Sequence, residues 1–196
     1  MQDNRHPLRN AMEIEFYQYN DELWYKTANG MNRVLSETDS QLIQTLISII
    51  RERYPSAYLA MENEYQKSAL NVPYFQFLIV RRFCKCNFGK LDTTEMDIDE
   101  DSHFHFEKVE CPLRGECRNE GIICSPKFNS KLSTAELRVM KLVYDGKSKE
   151  EISETLYISP HTVKNHIKSG YLKLGVHEKA DFVRYAQSNN LFNIKN

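Results

Sequence analysis

Five cysteines lie within 41 residues of this 196-residue chain, at Cys84, Cys86, Cys111, Cys117 and Cys124. Their spacing is C-x-C, then 24 residues, then C-x5-C-x6-C. Clustered thiolates are ligands for Zn²⁺ or an iron–sulfur cluster, or partners in a redox disulfide. The pattern differs from paired C-x2-C zinc ribbons, so spacing alone leaves these chemistries open.

A structural zinc site is predicted at four of these cysteines, Cys86, Cys111, Cys117 and Cys124. The last three lie in a loop rich in Pro and Gly, which can wrap a small ion, and Cys86 precedes a knuckle-like Asn-Phe-Gly turn. Cys84 is left out because it lies deeper in an expected strand. Four protein ligands leave no open position for water, so a structural rather than catalytic role is expected. Unliganded reduced thiols are the main alternative.

Two histidines near the cysteines, His103 and His105, share one face of an expected strand at i and i+2. A half-buried histidine on a strand is more often structural than a ligand, so they are left out of the site. The segment that begins at Asp97 opens like a calcium loop. It lacks the Gly at position six and the Glu at position twelve, which excludes that reading.

The segment from Ser159 to His177 contains no acidic residue. His161, Lys164, Asn165 and Lys168 recur at i, i+3, i+4 and i+7, which places them on one face of a helix. Apolar residues form the opposite stripe: Val163, Ile167, Tyr171 and Leu174. Lys and Asn on such a helix can donate to base edges and phosphates in a DNA major groove. A solvated basic helix without a ligand is the alternative.

Capping patterns define the helices that must position this face. Ser133-x-x-Glu136 and Ser148-x-x-Glu151 are two capping boxes, and Ser159-Pro160 starts a third helix. Asp145-Gly146 is a helix stop. The pattern predicts helices that begin near Thr134, Lys149 and Pro160, with a tight turn over Tyr157–Ser159, which is typical of a helix-turn-helix.

This region resembles the LuxR/GerE-type DNA-binding domain. The matching residues are Leu132-Ser133, Glu136, Gly146, Glu151-Ile152, Leu156, Ile158-Ser159, Thr162-Val163-Lys164, His166-Ile167 and Lys173-Leu174-Gly175. The resemblance implies a fourth helix over about residues 178–188, which often supplies dimer contacts. The sigma-factor helix-turn-helix has a similar pattern, but the chain shows no aromatic, basic promoter-melting segment upstream.

The resemblance also implies roles for single residues. Lys164, Asn165 and Lys168 match positions that face bases. Positions near the DNA backbone or in the domain packing are matched by Ser159, Thr162, His166 and Lys173. We expect Lys147 and Lys149, at the start of the second helix, to contact phosphate. Three residues depart from the family pattern: Ser153 replaces the usual Ala, Gly170 an aliphatic residue, and Lys179 the usual Arg.

The N-terminal region is less clearly patterned. Residues 8–69, including the segment Ile14–Leu35, are predicted to be helical, with a restart at Pro55. Residues 73–110 are predicted to be extended, because they are rich in aromatic and β-branched residues and FHFEKV alternates apolar with polar side chains. Residues 111–131 show no period.

Composition and charge limit the functional classes. Residues 132–196 carry ten Lys/Arg and seven Asp/Glu, a charge of +3, whereas residues 1–131 carry −4. Mean hydropathy is −0.59 and the longest apolar runs are too short to span a bilayer. Residues 1–10 are polar, with no secretory signal pattern. We therefore expect a cytoplasmic protein with no membrane partner and with reduced cysteines, unless a metal holds them.

Together these patterns predict an α+β domain with a Cys-rich loop over residues 1–130, followed by an all-α four-helix LuxR-type domain over residues 131–196. The predicted function is a transcriptional regulator, not an enzyme, that binds double-stranded DNA as a homodimer and carries a structural Zn²⁺. A short apolar strip, Phe182, Val183 and Ala186, is a candidate dimer contact. The alternatives are a cysteine enzyme that uses His103 or His105, a redox or metal sensor with a DNA-binding tail, and a partner-docking module. No effector is indicated.

Overall fold

The computed structural model describes residues 13–91 and 96–192, which divide into two compact units. Unit 1 is Met1–Lys127 and unit 2 is Phe128–Asn196, so the division falls three residues before the predicted boundary. The polar segment 1–10 lies outside the described residues, as does part of the acidic stretch after Leu91. In the described part of the chain, no helix is long and apolar enough to cross a membrane.

Unit 1 combines a small antiparallel sheet with three helices. The sheet has the order β1-β2-β3. The elements are β1 (Ile14–Tyr19), β2 (Glu22–Thr27), β3 (Asn32–Val34), α1 (Ser40–Arg53), α2 (Pro55–Tyr65), a 3-10 turn (Gln66–Ser68) and α3 (Val72–Asn87). The restart at Pro55 is confirmed, because Pro55 is the first residue of α2.

The predicted helix over Ile14–Leu35 is wrong, because this segment forms the three-stranded sheet. Tyr19 pairs with Glu22, which leaves a two-residue hairpin loop. Both loop residues, Asn20 and Asp21, have positive φ angles of 49° and 61°. Asn and Asp tolerate this left-handed backbone, and such two-residue turns match the twist of paired strands. The turn chemistry therefore favours a hairpin over a helix.

The prediction of extended structure from residue 73 is wrong for its first half, which forms α3. The Asn71 side chain accepts a hydrogen bond from the amide of Tyr74, and a proline occupies the first turn. The buried residues follow helical spacing: Ile79, Val80, Phe83, Cys84 and Asn87. Tertiary packing overrides the β propensity of this segment.

Among the described residues after α3, the predicted extended structure is limited to isolated bridges, and no strand forms. Ile98 makes isolated bridges to Ile14 and to Phe104. Phe104 and Phe106 are buried while the histidines between and before them are half-buried, so the FHFEKV alternation is real. The two phenylalanines pack with Tyr54, Phe83 and Phe88 at ring-centre distances of 5.3–6.0 Å. This aromatic cluster forms part of the core of unit 1.

Unit 2 is all-α, with four helices: α4 (Thr134–Tyr144), α5 (Lys149–Leu156), α6 (Pro160–Leu174) and α7 (Lys179–Ser188). The three predicted helix starts at Thr134, Lys149 and Pro160 are confirmed. Both capping boxes are complete, with the Ser133 and Ser148 side chains accepting from the amides of Glu136 and Glu151. The predicted fold class, an α+β part followed by a four-helix part, is therefore confirmed.

The core of unit 2 contains residues from all four helices, namely Val139, Met140, Val143, Ile152, Val163, Leu174, Phe182 and Ala186. Phe182 and Ala186 are therefore core residues, which corrects their assignment to an exposed dimer strip. They face inward because α7 is short and must bury its apolar stripe against the other helices. Gly170 packs against Met140: a Cβ at this position would lie 2.9 Å from the Met140 sulfur. This close approach accounts for the departure from the family pattern.

Candidate functional site

The exposed face of α6 carries the predicted base-reading residues. His161, Lys164, Asn165 and Lys168 are all exposed, while Val163 on the opposite side is fully buried. Lys147 of unit 2 makes an ion pair. Lys164 and Lys168 make none with the residues that the structure describes. Their ammonium groups are thus available to donate to a ligand.

The exposed face of α6 that carries Lys164 and Lys168 extends one turn farther than the sequence pattern indicated. Leu172 lies four residues after Lys168, and its side chain is 83% exposed. It shares the helix face of Asn165 and Lys168. Its i+4 spacing from Lys168 is the sequence signal that could have identified it.

The N-terminus of α6 is capped by Ser159 and Thr162, the two residues predicted to lie near the DNA backbone. The Ser159 hydroxyl accepts a hydrogen bond of 3.1 Å from the amide of Thr162 and lies 2.9 Å from the Thr162 hydroxyl. Pro160 occupies the first helical position. These hydroxyls stand at the positive end of the helix dipole, where an anion is favoured.

The turn between α5 and α6 is held by side-chain and backbone contacts. Tyr157 ends α5 in the left-handed conformation, with φ 54° and ψ 42°, and its side chain is 95% exposed. The Ser153 hydroxyl donates a 2.5 Å hydrogen bond to the carbonyl oxygen of Ile158. The Ser that departs from the family pattern therefore fastens the turn that sets the angle between the two helices.

Lys173, one of the predicted DNA-binding residues, makes an ion pair within the domain. Its ammonium donates a 2.7 Å hydrogen bond to the carboxylate of Glu136, which also accepts from the Ser169 hydroxyl at 2.6 Å. The hydrogen bond from Lys173, then those from Ser169 and the Ser133 backbone, lower the pKa of Glu136 to about 2. The Glu136 side chain is only 6% exposed, so Lys173 supports the packing of α6 on α4.

The two lysines at the start of α5 are exposed. The Lys147 ammonium lies 3.1 Å from a carboxylate oxygen of Glu151, in a pair whose side chains are about half exposed. Exposed pairs of this kind contribute little and open easily. Lys149 is the first residue of the helix. Both can therefore reach an anion that approaches this end of α5.

The four cysteines predicted as zinc ligands line one small cavity in unit 1. Cys86, Cys111, Cys117 and Cys124 surround a space of about 20 Å³, together with Arg82, Arg114 and other residues of the loop. As the side chains stand, no group of three or more His, Cys, Asp or Glu within the described residues meets the geometry of a metal site. The four predicted ligands therefore line the cavity, but their sulfur atoms do not stand in the positions of a metal coordination sphere.

Cys84 lies away from this cavity. In a helix, residues at i and i+2 point to different sides, so Cys84 faces the core while Cys86 faces the loop. This corrects the expectation that Cys84 lies in a strand, because α3 is helical. Burial raises the pKa of the Cys84 thiol well above its usual value. Burial also raises the pKa of Cys86 to about 11, an effect that Arg82 partly offsets.

Asn87 connects α3 to the cysteine loop. Its side-chain amide donates 2.9 Å hydrogen bonds to the carbonyl oxygens of Phe83 and Ile123, and its oxygen accepts from the amide of Ser125 at 2.9 Å. The sequence pattern predicts only a turn at Asn87-Phe88-Gly89. No pattern in the sequence marks the contact with Ile123 and Ser125, because more than 30 residues separate the partners.

His103 and His105 both contact Asp99 rather than the cysteines. One ring nitrogen of each histidine lies 3.1 Å from the same carboxylate oxygen of Asp99. Burial opposes the ionisation of Asp99, but hydrogen bonds from His103 and His105 outweigh it and lower the pKa of the carboxyl. These contacts agree with the structural role expected for the two histidines.

Comparison with known families bears on unit 2. Residues 130–186 match the model of the GerE family, bacterial regulatory proteins of the luxR family. No solved structure gives a significant match to the chain. The matched range begins four residues before α4 and ends within α7, so it includes α5, the turn and α6. Unit 2 is therefore a LuxR-type helix-turn-helix domain, and the chain carries the DNA-binding domain of a transcription regulator.

Proposed function

We propose that the protein is a sequence-specific transcriptional regulator of the cytoplasm that reads the major groove of double-stranded DNA with α6, as a homodimer. The observation that carries this proposal is the exposed stripe of His161, Lys164, Asn165 and Lys168 on a helix free of carboxylates. A carboxylate on this face would repel the phosphates, and none is present between Ser159 and His177.

The geometry of α6 suggests how it contacts DNA. A helix is about 10–12 Å across, which fits the major groove of about 12 Å. Lys164 and Lys168 are suited to guanine edges and Asn165 to adenine. Ser159 and Thr162, at the positive end of the helix, are suited to a backbone phosphate, as are Lys147 and Lys149. Leu172 offers apolar contact for a thymine methyl group.

A dimer is proposed because one helix of this kind reads only a half-site. Since Phe182 and Ala186 are buried, the outward face of α7 is the remaining surface for a contact between copies on that helix. It carries Ala180 and Arg184, both exposed, and the half-buried Val183. Sedimentation of the full chain with and without DNA tests this. A Val183→Asp chain that still binds DNA as a dimer places the contact elsewhere.

The enzyme alternative has little support from the described residues. A catalytic cysteine needs a lowered thiol pKa and a nearby base. Burial instead raises the pKa of Cys84 and Cys86. The two histidines that could act as a base are held by Asp99. For Cys84 and Cys86, these features disfavour the role of a catalytic nucleophile.

The proposal is tested by selecting binding sites from a random double-stranded DNA pool with the full chain. The selected sequence and a scrambled control are then titrated by fluorescence anisotropy. We expect the parent to prefer the selected sequence and Lys164→Ala to lose much of that preference. Lys67→Ala, which removes one positive charge from an exposed position in unit 1, is the matched control and should leave the preference unchanged. Failure of the full chain to enrich any sequence contradicts the proposal.

A further inference from the structure

We infer that Cys86, Cys111, Cys117 and Cys124 bind one structural Zn²⁺ ion, which closes the loop over residues 111–124 onto the C-terminal end of α3. The inference concerns unit 1 and does not depend on DNA binding by unit 2. It rests on three observations: the convergence of the four thiols, the small apolar burial of the loop, and a partly buried arginine beside them.

The first observation is convergence on a space of the right size. Cys86 comes from a helix, and the other three ligands come from a loop that begins after 24 intervening residues. All four line a cavity of about 20 Å³. This is little more than the space of about 10–15 Å³ that a single water needs, so it suits one ion and excludes a small organic ligand. Four sulfurs are the donor set of a closed tetrahedral zinc site.

The second observation is that the loop buries little apolar surface, although hydrogen bonds join its turns to one another. Residues 111–124 form turns without a regular helix or strand, and Ile123 is the one large apolar side chain of this stretch that is buried. Anchors to the helices are polar and few: Asn119 donates to Glu64 at 2.7 Å, and Asn87 donates to the backbone of Ile123. Apolar burial therefore cannot explain the compact loop, whereas a metal site can supply folding free energy directly.

The third observation is the electrostatic surroundings. Four thiolates around Zn²⁺ carry a net charge of −2, which is costly to bury without a cation. Arg82 lies beside the cavity, with a guanidinium nitrogen 3.7 Å from the Cys117 sulfur. Its Nε is buried and has no hydrogen-bond partner within the described residues. The amide of Gly121 also lies 3.3 Å from the Cys124 sulfur. N–H donors to ligand sulfurs are the outer-shell contacts that stabilise such sites.

Because the four side chains do not yet form a closed coordination sphere, binding requires the thiols to rotate into the cavity. Each thiol loses its proton as it binds zinc, so binding releases protons to solvent. No redox change or co-reactant is involved. Four Zn–S bonds of about 2.3 Å then leave no position for water, so the site is structural.

The test measures metal in the full chain purified without chelators. Elemental analysis should give one zinc per chain, and exchange for Co²⁺ should produce the absorption of tetrahedral thiolate coordination. Cys117→Ala should lose the metal, whereas Cys84→Ala, the matched control at a buried cysteine outside the cavity, should keep it. Tryptic cleavage after the exposed Arg118 should be slow with zinc and fast after chelation.

Two results overturn the inference. One is a folded chain that contains no metal and takes up neither Zn²⁺ nor Co²⁺ after treatment with a thiol reductant. The other is a coloured protein with bound iron, which assigns the cysteines to an iron–sulfur cluster. Because DNA binding is measured separately on the selected sequence, failure of the zinc site and failure of the DNA proposal can be told apart.

Discussion

The ammonium of Lys173, near the end of α6, donates a 2.7 Å hydrogen bond to the carboxylate of Glu136, in the first turn of α4. The same carboxylate completes the capping box of α4 by accepting from the backbone amide of Ser133 at 2.7 Å. One buried carboxylate thus caps one helix and fixes the orientation of another. The contact that orients α6, the helix proposed to read DNA, is made in its last turn by Lys173, away from the exposed face that carries Lys164 and Lys168.

Lys173→Met should reduce the stability of unit 2 at pH 7 by about 1 kcal/mol, because a nearly buried carboxylate loses a charged partner that is itself partly exposed. The pKa of Glu136 in the folded chain, about 2, lies below its ordinary value of 4.5. Its contribution to stability is therefore present above about pH 4.5 and is lost as the pH falls toward 2.

Urea unfolding of the full chain, followed by circular dichroism at pH 7 and pH 3, measures this effect. The parent should lose more stability between these pH values than Lys173→Met does. Equal losses in the two chains contradict the assigned ion pair. Lys179→Met, at an exposed lysine of α7, controls for the general effect of removing a positive charge from unit 2.

Gly170→Ala should lower stability by about 1 kcal/mol, although alanine is the better helix former by about 0.5–1 kcal/mol. The added methyl group would lie 2.9 Å from the sulfur of the buried Met140. In a Met140→Ala chain the same substitution should become stabilising, because the space is then open. A double-mutant cycle by urea unfolding checks this, and additivity of the two changes argues against the contact.

Tyr157→Gly should raise stability by about 0.5 kcal/mol. A left-handed conformation costs a non-glycine residue about 1–2 kcal/mol, while glycine loses about 0.5–1 kcal/mol in backbone entropy. The Tyr157 side chain is 95% exposed, so its removal leaves no cavity. Tyr157→Ala is the control: it keeps the strained conformation and should show no gain. Thermal unfolding of the three chains decides the point.

The helix boundaries of unit 2 could be predicted from the sequence because their signals are local. In a capping box such as that of Ser148, a side chain bonds to a backbone group three residues away. The same holds for Ser159 and the start of α6. The burial of Phe182 could not be predicted in the same way. Whether the apolar residues of α7 face the core or the solvent depends on how the four helices pack.

Unit 1 was harder to predict because its elements depend on distant partners. Ile14–Tyr19 is rich in β-forming residues and is followed by a turn pair, but its hydrogen bonds as a strand come from Glu22–Thr27. The aromatic residues of α3 favour a strand by composition, but packing in a cluster around Phe83 and Tyr54 makes them helical. The exclusion of Cys84 from the site rested on its depth in an expected strand. In the structure Cys84 lies outside the cavity for another reason, because residues 84 and 86 point to different sides of a helix.

Lys147→Ala should weaken binding to all DNA sequences to a similar extent, because we propose that this lysine contacts a phosphate. The slope of log K against log salt should flatten by about one unit. The lysine also gives up its exposed pair with Glu151 on binding, which costs little. Anisotropy titrations at several salt concentrations, on the selected and scrambled sequences, measure both quantities. Loss on the selected sequence alone makes Lys147 a base contact instead.

The decisive measurement is the affinity of Lys164→Ala, Lys168→Ala and the parent for the selected DNA sequence and its scrambled control at one salt concentration. If α6 reads the major groove, each substitution should reduce discrimination between the two sequences by about 1–3 kcal/mol. The Lys67→Ala control should discriminate as the parent does. If Lys164→Ala and Lys168→Ala bind both sequences with the affinities of the parent, α6 is not the recognition helix.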